Sequence, residues 1–170
     1  MTVNEAIERR RSVRKYKKES KIPQEHIELM LKAAMMAPSA GNTRPWEFVV
    51  VEREEIKEQI VQASPFSRAI LDAPIAIIVC GLPDKQQGPM MEGFWPQDCG
   101  AATENILLQA TELGYGSCWC GAYPRMDRVE GIQKVLGISS IPVSIIAVGQ
   151  TSENPEARGY YDEGKVKYFR

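Results

Sequence analysis

With 170 residues, 44% of them hydrophobic and 25% charged, the chain has the size and composition of one soluble globular domain, which excludes disorder, collagen-like repeats and a disulfide-stapled miniature. Its 21 Lys and Arg against 22 Asp and Glu leave a net charge of -1, so no global field draws it to nucleic acid or an anionic membrane and any anion site must be local. Four cysteines without a Cys-x-x-Cys pair and a single histidine make a poor inventory for zinc or an iron–sulfur cluster, so no metal site is expected.

Met1 leads straight into an amphipathic, arginine-rich stretch with no apolar segment, so no secretory signal and a cytoplasmic protein are expected. Val3, Ala6 and Ile7 recur at helical spacing within residues 2 to 11. A second amphipathic helix carries Pro23 in its first turn and Ile27, Met30, Leu31, Ala34 and Met35 along one stripe. Pro38-Ser39-Ala40-Gly41-Asn42 marks a loop, Glu47 to Val51 a short strand and Glu54 to Ala63 a third helix. Ile75 to Cys80 and Ile141 to Val148 are too short to span a bilayer and read as buried strands, the second extending to Gly149.

Between these strands, Gln86-Gln87-Gly88-Pro89 and Gly93-Phe94-Trp95-Pro96 read as a flexible connection, the segment expected to form a lid. Asp98 is expected to cap a long central helix striped by Cys99, Ala102, Ile106, Ala110 and Leu113 and closed by Gly114. Gly116 to Cys120 reads as a strand, and Asp127 to Leu136 as a helix closed by Gly137. Alternating helices and strands without an internal repeat indicate an α/β or α+β domain with about four strands. Beyond Gln150 the composition turns polar, and a tail ending Val166-Lys167-Tyr168-Phe169-Arg170 exposes apolar side chains unless it lies on something such as a second subunit.

Arg10, Arg11, Ser12 and Arg14 place three guanidiniums and a hydroxyl within five residues. Arginine forks match phosphate oxygens bidentately, so the cluster suits a phosphate-bearing ligand. A solvated basic patch paired with Glu5 or Glu8 is the competing reading. Residues 38 to 46, Pro-Ser-Ala-Gly-Asn-Thr-Arg-Pro-Trp, add a loop of small residues that a flat ligand can approach closely, with an asparagine for hydrogen bonding. Cys80 reads as a small core residue. Cys118-Trp119-Cys120 is a candidate redox pair, but with its cysteines read on opposite faces of the strand that role is not expected. His26 reads as a surface residue, Trp46 as core or interface packing. Phe94 and Trp95 are costly to expose in a Gly/Pro-rich loop, and they suit a face where a flat substrate stacks.

These two motifs, with Asp98-Cys99-Gly100-Ala101-Ala102, Asn105, Leu113-Gly114-Tyr115-Gly116-Ser117-Cys118-Trp119 and Arg158, resemble the nitroreductase family, specifically its short members, over essentially the whole chain. The resemblance implies one α+β domain over residues 1–170, with a mostly antiparallel central sheet flanked by helices. It also implies an intertwined homodimer on which the tail from residue 150 packs. FMN would bind at the subunit interface, its phosphate and the polar edge of its ring held by Arg10, Arg11, Ser12, Arg14 and Arg158. Pro38, Ser39, Ala40 and Asn42 would come from the other subunit beside the isoalloxazine, with Trp119, Cys120 and Gly121 completing the site.

The Gly121 amide would lie near flavin N5, although a glycine needed only for a turn explains the residue equally well. Arg44 stands where many members have glutamine, and Glu156 where longer members carry a basic residue; a large substrate-capping insertion is absent. The implied reaction is ping-pong: NADH or NADPH reduces FMN by hydride transfer, then the flavin reduces a nitroaromatic, a quinone or a similar acceptor. No Gly-x-Gly-x-x-Gly is present, consistent with a nicotinamide that only stacks transiently. Another redox reaction on the same scaffold (dehalogenation, enoate reduction, an oxidase reaction) and a non-catalytic FMN-binding protein are the alternatives.

Overall fold

The computed structural model describes residues 1–86, 88, 90–156 and 158–170. Gln87 and Pro89, both assigned above to the flexible connection, lie outside the described residues. The first helix, α1 (Val3–Arg9), starts after a capping box: Glu5 N–H donates to Thr2 Oγ1 at 3.3 Å, and Thr2 N–H donates to Glu5 Oε2 at 2.7 Å. It ends sooner than expected, because Arg10 leaves helical geometry at φ -55°, ψ 124°. Arg10 to Arg14 therefore follow the helix as an extended segment. Val13 N–H donates to the Ser117 carbonyl at 2.9 Å, so this segment adds to the edge of the sheet. Thr2→Ala is expected to cost α1 about 1 kcal/mol, seen as faster amide exchange in α1 with little change in the global unfolding midpoint.

The remaining elements are α2 (Gln24–Met35), β1 (Trp46–Val51), α3 (Glu54–Ala63), β2 (Ile75–Gly81), α4 (Trp95–Glu112), β3 (Gly116–Gly121), α5 (Met126–Leu136) and β4 (Ile141–Gly149). The four strands form one antiparallel sheet in the order β1-β2-β4-β3, so the last strand of the chain is central. Both faces of this sheet are covered. Ile77, Val79, Ile146 and Val148 pack with Ile27, Met30 and Ala34 of α2 and Ala102 and Ile106 of α4. Ile78, Cys80, Ile145 and Ala147 pack on the other side with Ile60 of α3, Ile70 and Ile132 of α5. Two-sided burial is why β2 and β4 read as nearly continuous apolar runs rather than alternating, the buried Ser144 of β4 being hydrogen-bonded to Thr103 of α4. The expected α+β class and antiparallel sheet are both observed, and Trp46 and Cys80 are core residues.

Four expectations change. Helix α4 begins at Trp95, one turn before Asp98, with Phe94 at its N-cap. Trp95 is only 8% exposed and packs over Gly81, where an added Cβ would fall 2.3 Å from its ring. It is a core residue rather than a loop aromatic, because its indole fills the space that Gly81 leaves open; Phe94, 44% exposed, is the one of the pair presented to solvent. Cys118 and Cys120 share one face of β3, 3% and 9% exposed, and Trp119 alone points the other way at 40%. Side chains two apart on a strand lie on the same side, so the opposite-face reading was wrong. Gln86 is buried within a hydrogen-bond network rather than part of a free connection.

Among the described residues, the tail is hydrogen-bonded to the rest of the chain at its start. Lys17 N–H donates to the Gln150 carbonyl at 2.8 Å and Thr151 Oγ1–H to the Lys15 carbonyl at 2.7 Å. Further along, Tyr160, Tyr161, Tyr168 and Phe169 are exposed, Phe169 at 96%. No helix of the chain is long and apolar enough to cross a membrane among the described residues.

Candidate functional site

The extended segment after α1 and the start of the tail enclose a cavity of about 490 Å³, lined by Arg10, Arg11, Ser12, Arg14, Lys15 and Arg158, with Glu153 and Glu156 on its acidic side. Five of the residues picked from the sequence thus meet in one place, although Arg158 follows Arg14 by most of the chain. Glu153 makes this possible. Its Oε2 accepts from the amides of Arg14 at 2.9 Å and Lys15 at 3.1 Å, bonds that hold its carboxyl below the usual carboxylate range. Together with Thr151 it fastens the tail to residues 14–17 and carries Arg158 into the cavity.

Pairing does not exhaust the cations of this cavity. Arg10 Nε lies 3.6 Å from Glu104 of α4, not beside Glu5 or Glu8. Burial pushes the Glu104 carboxyl up, and Arg10 partly opposes this. Arg11 donates to the Arg10 carbonyl at 2.7 Å, while its Nε is buried with no partner among the described residues. Buried polar groups are nearly always hydrogen-bonded, so an unpaired guanidinium nitrogen in a cationic cavity marks room for an acceptor from outside the chain.

Arg14 also borders a second cavity of about 400 Å³, whose wall includes Phe66, Arg68, Cys118 and Cys120. The neighbouring Cys120 thiol draws the Cys118 thiol down and Arg14 and Arg10 act in the same direction, against burial; the same neighbourhood raises Cys120. Cys80 and Cys99, by contrast, are both pushed up to about 12 by burial. Gly121 follows the pair. Its φ is not left-handed, and a Cβ there would meet nothing within 4 Å, so no turn or close approach within the chain requires a glycine.

Pro38, Ser39, Ala40 and Asn42 line neither cavity. Their loop is strained: Gly41, Asn42 and Arg44 have φ of 58°, 55° and 49°, left-handed values that cost a residue such as arginine roughly 1–2 kcal/mol. A dense network holds it. Arg44 N–H donates to Ser39 Oγ at 3.0 Å and Arg44 Nε–H to Asn42 Oδ1 at 3.2 Å. Ala40 N–H donates to both carboxylate oxygens of Asp98 at 3.2 Å. Gln86 Nε2 bridges Asp98 at 2.6 Å and Thr43 Oγ1 at 3.2 Å. Asp98 thus orients the loop rather than capping α4.

Three of these roles escaped sequence reasoning: Glu153, Lys15 and Asp98 as a loop anchor. Asp98 stood in a motif already singled out, but a carboxylate near a helix start reads first as a cap. His26 is half-buried and shares a 2.8 Å hydrogen bond with Tyr115 Oη, so it is not a simple surface residue.

Comparison with known proteins adds four findings. The Nitroreductase family profile matches residues 7–65 and 65–150. A protein of Methanothermobacter thermautotrophicus provisionally named NADH dehydrogenase/NAD(P)H nitroreductase is 45% identical over 98% of this chain and 86% of its own length. The crystal structure of a Parabacteroides distasonis protein with the same provisional name superposes with a TM-score of 0.90 at 33% identity, covering 98% of this chain and 96% of that one. An FMN-dependent nitroreductase of Clostridium difficile superposes with a TM-score of 0.87 at 31% identity, covering 97% and 98%. With its sequence matched almost end to end and its antiparallel sheet shared, the chain belongs to the nitroreductase family of oxidoreductases.

Proposed function

We propose that the chain is a cytoplasmic, FMN-dependent enzyme that takes hydride from NADH or NADPH and passes the electrons to a nitroaromatic, a quinone or a similar acceptor, by a ping-pong mechanism. The observation that carries this reading is the cationic cavity in which Arg10, Arg11, Ser12, Arg14 and Arg158 converge, with a buried Arg11 Nε still free to donate. A dianionic phosphate suits it: charged hydrogen bonds from guanidinium forks are the strong kind, and the Ser12 hydroxyl adds a neutral donor. FMN bound there supplies the hydride chemistry at N5.

This chain's residues do the rest. Arg10, Arg11, Ser12, Arg14 and Arg158 bind and orient the phosphate end. The second cavity, which shares Arg14 with the first, offers a less polar wall that includes Cys118 and Cys120, and we assign the backbone of Trp119, Cys120 and Gly121 to the ring end of the flavin. The bare face of Gly121 leaves its amide open to approach from outside the chain. Because Pro38, Ser39, Ala40 and Asn42 line neither cavity of the single chain, we assign them to the site of a second copy, which makes the homodimer the functional unit. The exposed tail aromatics support that assembly, since a monomer gains nothing by presenting them to water. We assign Phe94, exposed at the N-cap of α4, to the acceptor, its exposure to solvent supporting that reading.

The purified protein is expected to be yellow, and its flavin absorption band to bleach when NADH or NADPH is added without oxygen and to return when a quinone or nitroaromatic follows. A protein that is colourless and stays so after incubation with FMN would overturn the proposal.

A further inference from the structure

The structure sets Cys118 and Cys120 apart from the other two cysteines. Both lie on one face of β3 and both line a cavity of about 400 Å³, beside Arg14 and Arg68. Cys80 and Cys99 are fully buried and line none of the cavities found among the described residues. Arg14, Arg10, Arg68, Asp72 and Tyr16 are the charged and titratable groups around the pair. Tyr16 donates to the Val13 carbonyl at 2.6 Å, and burial raises its pKa, so it stays neutral. The arginines outnumber the single carboxylate here, a setting that favours thiolate. Strand β3 is the outer strand of the sheet, and beyond Ser117 it pairs, among the described residues, with β4 alone.

We propose that Cys118 and Cys120 form a peroxide-reactive thiol pair, in which Cys118 is oxidised by a hydroperoxide and Cys120 resolves the product to a disulfide. The Cys118 thiolate attacks one peroxide oxygen; the S–O bond forms, the O–O bond breaks, and hydroxide leaves, giving a sulfenic acid. The Cys120 sulfur then attacks the Cys118 sulfur; the S–S bond forms, the S–O bond breaks, and the Cys120 proton leaves with the hydroxyl as water. The two sulfurs together lose two electrons, and hydrogen peroxide is reduced to water. Two strand residues span about 6.6 Å between Cα atoms, near the upper end of the roughly 4.4–6.8 Å that a disulfide bridges. Bridging therefore requires β3 to pucker slightly, which a strand paired on one side can do. The lowered pKa of Cys118 agrees with its role as the attacking thiol.

The test uses hydrogen peroxide on the protein both as purified and after removal of flavin, followed by alkylation, proteolysis and mass spectrometry. The expected result, in at least one of the two forms, is a peptide containing Cys118 and Cys120 that has lost a pair of hydrogens and resists alkylation, while Cys80 and Cys99 remain alkylatable. In Cys120→Ser, dimedone should trap a sulfenic acid at Cys118; in Cys118→Ser, Cys120 should stay reduced. A pair that remains fully alkylatable in both forms, or oxidation spread equally over all four cysteines, overturns the proposal. The readout is independent of whether the protein binds FMN.

Discussion

Arg10→Ala and Arg14→Ala are each expected to weaken FMN binding by about 1.5 to 3 kcal/mol, the worth of a charged hydrogen bond, or roughly ten- to a hundredfold in Kd. Both side chains line the cationic cavity, and each has little else to do. Arg10 has one partly exposed ion pair with Glu104 at 3.6 Å, and such pairs contribute about 0–1 kcal/mol. The exposed Arg14 is held by Glu153 through its backbone amide, and its guanidinium makes one long hydrogen bond, 3.5 Å to the Ser12 carbonyl. The melting temperature of the flavin-free protein should therefore barely change in either variant, while the affinity measured by flavin fluorescence titration falls. Unchanged affinity in both variants would place the phosphate site elsewhere. Arg10→Ala carries a second signature: losing the cation that opposes burial raises the pKa of Glu104 further.

Asp98→Ala is expected to destabilise the protein by about 3 kcal/mol, because the amide of Ala40 and the Gln86 side chain lose a buried acceptor together. For a domain of this length that is a fall in Tm of roughly 6 to 12 °C. FMN affinity should fall with it if loop 38–44 of one copy serves the site of the other. The strained φ values at Asn42 and Arg44 persist only while the network over-determines them, and Asp98 is its hub. Asp98→Asn should lose less. Gln86 Oε1 is buried without a partner among the described residues, so a turned Gln86 amide can accept from the new Asn side chain. Equal losses in Asp98→Ala and Asp98→Asn would show that the negative charge, not the acceptor geometry, holds the loop.

Much of this protein is legible in its sequence. The periodicity of α3 and the apolar run of β4 give their observed bounds, Glu54–Ala63 and Ile141–Gly149, and Gly114 and Gly137 close their helices with φ of 82° and 65°. Local rules suffice there, because amphipathic period and chain termination signals act within a few residues. The arginine cluster and the residue 38–46 loop also stood out, since runs of charge and of small residues contrast with the pattern of a packed core.

What the sequence alone left open was decided by contacts between distant segments. Sequence offered Arg10-Arg11-Ser12-Val13-Arg14 as a phosphate clamp or a solvated patch; Glu153 and Thr151, by folding the tail back, bring the cluster and Arg158 into one cavity. Trp95 became core because Gly81, on another element, leaves room for its ring. Asp98 became a loop anchor because α4 starts a turn earlier than its first polar signal. Composition and periodicity determined the class, the strands and the inventory of charges; only tertiary structure decided which charges meet. Hydrophobic patterning acts locally and repeats along the chain, whereas an electrostatic site depends on a few distances between residues that share no neighbourhood in sequence.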